Sequence, residues 1–398
     1  MNILVIGNGF DLAHELPTKY TNFLEWIVAE VEFWEDLKNE KGKIISKIKK
    51  MPLKLNIPED KKRKMVISAR IERQVELWNC INSNVWLEYF LQCDMHGEEN
   101  WIDFESEISE VIQSINQDMG ENNFYSNIKR LKNIFFNEKY TNNVPEYIQA
   151  TAEEQEKTRK PKITYQKLRD ILLEDLNKLI RALEIYLTDF VEKIGISKIS
   201  KDIKELDIDH VLSFNYTNTF EELYGQERNI EYDYIHGKAG IKNTIESNNM
   251  VLGIDEYLSD DRKNNDIEFI AFKKFYQRIY KETGCKYKEW VDQIERNEHM
   301  SPTILYKLYI FGHSLDVTDK DILRDLILHD NVHTTIFYHN KDVMGQQIAN
   351  LVKVIGQDKL IKRTGGSTKT IEFRQQQDML ISSSTVIYQP AFVLNQPL

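Results

Sequence analysis

The chain has 398 residues, and its 52 Lys+Arg against 63 Asp+Glu give a formal net charge of −11, which excludes a dedicated duplex-DNA binder resting on a basic surface. A composition with 41% hydrophobic and 29% charged residues excludes a disordered chain, and no apolar run nears the ~18 residues of a membrane span. The three cysteines Cys80, Cys93 and Cys285 contain no CxxC pair, so neither a disulfide framework nor a cysteine zinc site is implied, and a cytoplasmic location is expected.

Residues 2–6 (NILVI) form a short apolar run ending at Gly7, the pattern of a buried parallel strand rather than a signal peptide. Residues 20–40 and 76–91 repeat apolar positions three and four apart and predict helices, with Pro52 and Pro58 between them. The stretch 41–73 holds 12 Lys/Arg against Glu59, Asp60 and Glu72, either a solvated face or a docking surface for an anionic partner. Residues 151–162 predict a loop. Leu168, Leu172, Leu176, Leu179, Leu183, Leu187, Phe190 and Ile194 then trace one helical stripe with a period of ~3.67 residues. Apolar runs at 208–214, 232–235, 250–254, 304–311 and 333–338 alternate with helical or polar stretches, as in an open parallel α/β sheet. The first strand has no partner nearby in sequence, so it joins this later group. The expected organisation is an α/β nucleotide-binding domain from 1–20 plus 205–345, a helical insertion over 25–200, and a C-terminal extension over 346–398.

Polar residues gather where these strands end, which is where open α/β sheets bind ligands. Gly7-Asn8-Gly9-Phe10-Asp11 follows the first strand, and its glycines let a backbone approach a phosphate. The third glycine of GxGxxG is missing and no GxxxxGK[ST] occurs, so neither an ordinary dehydrogenase nor a P-loop is expected. Ser213-Phe214-Asn215-Tyr216-Thr217 closes the next run, where Asn215 either holds a sugar hydroxyl or water or simply forms a turn. Tyr234-Ile235-His236-Gly237 offers an imidazole as general base, or a structural histidine. The other histidines, among them His14 and His210, are expected to be structural. Gly312-His313-Ser314-Leu315-Asp316-Val317 and Asn340 end two further runs, with Ser314 a donor for phosphate or ribose and Asn340 a ribose ligand. Asp103 and Glu105 read as acids at a helix N-terminus or as a wall of the pocket, and Asp255-Glu256 as support for it.

The order GNGFD, FNYT, HG, GHSLDV and a strand-final Asn resembles the NAD-binding arrangement of sirtuins. The resemblance covers about 160 residues in separate pieces; it aligns Asn215 with the catalytic Asn and His236-Gly237 with the catalytic His-Gly of that family. It departs from the family in lacking the four-cysteine zinc module, in having Asp11 for a serine, Thr217 for an aspartate and His313 for a threonine. The blocks VIGNGFDLAHELPTKY, NWIDFE (Asn100–Glu105), SFNYTNTFE, YIHG, LGIDE (Leu252–Glu256) and FGHSLDVTDKDIL span nearly the whole chain. Together they resemble the AbiH family of bacterial phage abortive-infection proteins more closely.

These resemblances imply a defence effector with a sirtuin-like site that hydrolyses NAD at the nicotinamide–ribose bond, without a metal. NAD would lie with its pyrophosphate on Gly7, Asn8, Gly9, Phe10 and Asp11, aided by Gly312, Ser314 and Leu315, with Asn340 on a ribose. Asn215 would orient ribose or water and His236 would accept a proton. The alternatives are a sensor that binds NAD or ADP-ribose without cleaving it, and a nucleic-acid-directed effector docking through the 41–73 segment. Expected partners are NAD or a related nucleotide, a phage-derived trigger, and a second copy or another defence protein.

Overall fold

Strand β1 (Asn2–Ile6) carries apolar side chains on both faces, a pattern stable only inside a sheet covered on both sides. In the computed structural model, which describes residues 1–39, 72–94, 103–121, 165–225, 229–259, 261–301 and 304–381, β1 has that position. A small antiparallel pair, β2 (Lys198–Ile199) with β8 (Leu380–Ile381), stands apart from the main sheet. That sheet contains β3 (His210–Ser213), β4 (Glu231–Tyr234), β5 (Tyr306–Phe311), β6 (Val332–Tyr338) and β7 (Ile371–Gln375) beside β1. All six strands run parallel in the order β4-β3-β1-β5-β6-β7. The architecture is therefore α/β, and the strand predicted at 2–6 pairs with partners 200 and 300 residues away.

Alternation along β1 divides the core. Ile3 and Val5 join a core built with Leu308, Ile310, Leu323, Leu351 and Val354, whereas Leu4 and Ile6 join one with Phe10, Val211, Phe220 and Phe337. Helices Tyr287–Met300, Lys320–Ile327 and Lys341–Ile355 cover the first face, and the short helices Asn8–Ala13 and Thr219–Tyr224 the second.

A third core belongs to helices Tyr20–Asn39, 72–81, Val85–Asp94, Phe104–Glu121 and Tyr165–Asp189. The leucine stripe lies here, with Leu168, Leu172, Leu176, Leu179, Leu183 and Leu187 all buried. Ala239, Met250, Leu252, Ile254, Phe269 and Phe272, from the segment after β4, complete the same core. No described helix is long and apolar enough to cross a membrane.

Two elements differ from the sequence expectation. Residues 250–254 do not form a strand, and only Ile254 makes an isolated parallel bridge, with Lys273. Their apolar character comes from burial under the helical core instead. The C-terminal extension, expected to hold one helix, contains the end of helix Lys341–Ile355, helix Gln357–Thr364 and β7, which pairs with β6. The basic stretch 41–71 and the loop 151–162 lie outside the described residues.

Candidate active site

Four strands end at matched positions. Ile6 pairs with Ser213 and Phe311, and Ser213 pairs with Tyr234. The residues two places further on are therefore His236, Asn215, Asn8 and His313, in that order across adjacent strands spaced ~4.8 Å apart. Asn215, His236 and His313 are buried, whereas Asn8 is half-buried and accepts a hydrogen bond from Thr18 Oγ1 at 2.6 Å.

The glycines hold two of these strand ends together. A Cβ on Gly9 would stand 2.8 Å from the Gly312 carbonyl oxygen, and one on Gly7 2.9 Å from the same atom. Gly312 has φ of +68°, and a Cβ there would sit 2.1 Å from the Phe10 nitrogen. The Gly9 N–H donates to the Gly312 carbonyl at 2.8 Å. The bare glycines are thus required by the contact of the two loops with each other. Phe10 is fully buried against Phe311, Phe220, Tyr224 and His14. Leu315 is fully buried at φ of 60°, a strained backbone for a bulky residue, and its N–H donates to His313 Nδ1 at 2.9 Å.

Asp11 is buried one turn into the first helix, where Thr217 Oγ1 donates to its Oδ2 at 2.6 Å. Residues 11 and 217, more than 200 positions apart in sequence, therefore meet as one hydroxyl–carboxyl pair. Burial pushes the Asp11 carboxyl up to about 6, against the hydroxyls of Thr217 and Thr219 and the nearby Asn215 carboxamide, which favour the anion. Asn215 Nδ2 and His236 Nδ1 of this row, and Asp11 Oδ1 beside it, are buried and have no hydrogen-bond partner within 3.5 Å among the described residues, the Asn215 carboxamide acting on Asp11 from nearby.

A charged cluster backs the histidines. Asp319 Oδ2 lies 3.3 Å from His313 Nε2, and its Oδ1 lies 3.8 Å from His236 Nε2. The Phe214 ring packs edge-on to both imidazoles, with centroids 5.6 and 4.4 Å away. Lys274, buried at the start of helix Lys274–Tyr280, meets Glu105 Oε2 at 2.6 Å. Burial works against the Lys274 ammonium, but Glu105, Asp319 and Asp255 hold its pKa well above the usual lysine range. Burial also opposes the Asp319 anion, yet Lys274 and His313 keep its carboxyl well below its ordinary value. Asp255, pushed up to about 6 by burial, faces the same ammonium. Burial and Lys274 push His236 down to about 3, so its ring is neutral at neutral pH.

Asp103 and Glu105 divide the two roles expected for them. Asp103 Oδ1 accepts from the Glu105 N–H at 3.0 Å, a helix cap, while Glu105 reaches the cluster. Asn340 Oδ1 accepts from the Val343 N–H at 2.9 Å and caps helix Lys341–Ile355, and Ser314 is exposed. His14 is structural, spanning the Phe10 carbonyl and Tyr224 Oη at 2.7 Å each.

Sequence reasoning missed Lys274 and Asp319. Asp319 was within reach, because it closes the block GHSLDVTD; Lys274 follows no motif and no periodicity. The described residues hold no group of three His, Cys, Asp or Glu placed for a metal ion. Each sequence block nevertheless delivers a polar group to one neighbourhood: Asp11, Glu105, Asn215 with Thr217, His236, Asp255, and His313 with Asp319.

None of the curated proteins and none of the solved structures matches the chain. The family model described as "Bacteriophage abortive infection AbiH" does match, over residues 3–339, which takes in every block converging on the site. The chain therefore belongs to the AbiH family of bacteriophage abortive-infection proteins.

Proposed function

We propose that the chain is an abortive-infection effector that hydrolyses the nicotinamide–ribose bond of NAD at the ends of β3 and β4, through a sirtuin-like site. One observation carries the reading: Asn215 Nδ2 and His236 Nδ1 are buried without hydrogen bonds just beyond the paired ends of β3 and β4, and Asp11 Oδ1, in the helix after β1, is likewise buried without one. Each such atom costs ~1–3 kcal/mol, a cost retained where a ligand group supplies the missing bond. One acceptor, one donor and a ring nitrogen suit a ribose with its hydroxyls and an incoming water. On the phosphate side, two of the expected contacts are already taken. The Gly9 amide is already bonded to Gly312, and Asn340 is committed to a helix end.

In the reaction, water oxygen bonds to the ribose anomeric carbon while the bond to the nicotinamide nitrogen breaks. The leaving nitrogen keeps the electron pair. Positive charge spreads over the ribose ring in the transition state, and the carboxylates of Asp319 and Asp11 favour it electrostatically. Asn215 Nδ2 donates to a ribose hydroxyl or orients the water. His236 is neutral at the start and takes the water's proton, a contribution of typically ~10²–10⁴-fold for a positioned base.

The test is nicotinamide release from NAD by the full chain, compared with Asn215→Ala and His236→Ala. We expect loss of at least about 100-fold in each variant. Equal rates in all three proteins would remove the catalytic assignment. A second reading, a sensor that holds NAD or ADP-ribose intact, is favoured by the depth of the site: Asn215 and His236 are each only 6% exposed. Tight binding with intact ligand recovered after incubation would select it, and neither binding nor release would discard both readings.

A further inference from the structure

We propose that Asp319 is a positioning residue that fixes His236 in the tautomer protonated at Nε2, leaving Nδ1 as the atom that accepts the proton. The proposal extends the hydrolytic reading given above, but its first test does not depend on turnover.

Asp319 stands between two imidazoles. It presents Oδ2 to His313 Nε2 at 3.3 Å and Oδ1 to His236 Nε2 at 3.8 Å. On the His313 side the tautomer follows from the bonds: the Leu315 N–H donates to Nδ1, so the proton of the neutral ring is on Nε2, directed at Asp319. His236 faces the other oxygen of the same carboxylate with its own Nε2. A carboxylate can only accept, so the favourable arrangement again puts the proton on Nε2. Nδ1 is then a bare lone pair, and it is the buried His236 atom without a hydrogen bond. The 3.8 Å separation is longer than a hydrogen bond, and catalytic hydrogen bonds that are long in the free protein commonly tighten in the reacting complex.

The surroundings keep Asp319 fit for this task. Lys274, reaching in from helix Lys274–Tyr280, holds it ionised, and the Asp319 anion offsets the charge that His236 gains on taking a proton. The charged and titratable groups facing His236 are Lys274 and Arg278 from that helix, His313 from the end of β5, and Asp319 itself. Burial, with Lys274 and Arg278 against the one anion, explains why the ring is neutral at rest. Among these groups only Asp319 favours its protonation.

Nitrogen-15 histidine NMR on the full-length protein, with the His236 signal identified by its loss in His236→Gln, tests the tautomer directly. We expect Nε2 protonated and Nδ1 bare in the wild type, and a mixture of tautomers in Asp319→Asn. A wild-type ring protonated at Nδ1 overturns the proposal, and that measurement needs no variant to fold. In turnover, Asp319→Asn should lower kcat for NAD hydrolysis by roughly 10²–10⁴-fold with KM changed less than about twofold, and shift the pH–rate profile. Asp319→Glu should restore part of the rate. A variant with unchanged kcat and unchanged profile overturns the proposal. The expected tautomer in a protein that releases no nicotinamide leaves the positioning role standing and rejects NAD hydrolysis.

Discussion

At the scale of single residues, the site is built from paired polar groups. Asp11 follows β1 and Thr217 follows β3, and the Thr217 hydroxyl donates to the Asp11 carboxyl at 2.6 Å. Burial sets the behaviour of that carboxyl, moving it from the ordinary 3.8 up to about 6. Between these values the folded chain keeps a proton that the unfolded chain has released. This group's contribution to stability is therefore full below the unfolded value and lost as pH rises through about 6. Wild-type protein should lose about 1 kcal/mol on this account between pH 5 and pH 7, and Asp11→Asn should not. Urea melts of the two proteins at both pH values measure the difference, and parallel pH dependence in wild type and variant would show that Asp11 is ionised throughout. Residues such as Asn215 and His236 were legible because they end apolar runs, and position alone marks them. Lys274 was illegible for the opposite reason, since it follows no strand and acquires its role from a fold that brings Glu105 to it.

At the scale of elements, the same physics decides what the sequence reveals. β1, β3, β5 and β6 each have a strand on both sides, hence are apolar, and each corresponds to a predicted run, as does β4 at one edge through the run that ends in the buried Ile235. β7 (IEFRQ), at the edge beside β6, is exposed and polar over its last residues, and so carries no such signal. Residues 250–254 gave a false strand because a buried irregular segment needs the same apolar side chains. The two strand-end loops carry a sharper constraint, and glycine substitutions separate it from general intolerance. Gly312→Ala forces a Cβ to within 2.1 Å of the Phe10 backbone at a positive φ, and should cost more than about 2 kcal/mol while shifting Phe10 and Asp11. Gly345 is exposed inside helix Lys341–Ile355 with nothing within 4 Å of an added Cβ. Gly345→Ala should therefore stabilise the chain by roughly 0.5–1 kcal/mol. Thermal melts of the pair would contradict this account if both changes moved stability in the same direction.

At the scale of the whole molecule, the helical layer and the sheet are tied at the site. Glu184, fully buried on helix Tyr165–Asp189, accepts from the Gly240 N–H at 2.9 Å and from Asn243 Nδ2 at 2.6 Å, and also from Asn248 and Arg181. It thereby fixes the segment that leaves His236-Gly237. Helix Phe104–Glu121 contributes Glu105 to Lys274 from the same layer. From the other side, helix Lys341–Ile355 holds the Gly312–Leu315 loop: Gln347 Nε2 donates to the His313 carbonyl at 3.2 Å and Asn350 Nδ2 to the Ser314 carbonyl at 3.0 Å. That helix and the residues after it also bury Leu351, Val354, Ile355, Leu360 and Ile371 in the core that covers β1 and β5. Sequence reading gave the extension beyond residue 345 no chemistry, and its described residues support the Gly312–Leu315 loop and the core beneath β1 and β5. A chain ending at residue 345 exposes that core and frees the loop carrying His313. Losing even a single large buried side chain from such a core costs ~2–5 kcal/mol, against a whole-domain stability of ~5–15 kcal/mol. Five such side chains lost together exceed what the remaining core can offset. The truncated chain should be recovered as aggregate or as an expanded species without a cooperative melt, whereas the full chain melts cooperatively. Size-exclusion chromatography with circular dichroism reads both properties, and a compact, cooperatively melting 1–345 fragment would mean that the sheet stands without its last strand and that the site is held from the helical layer alone.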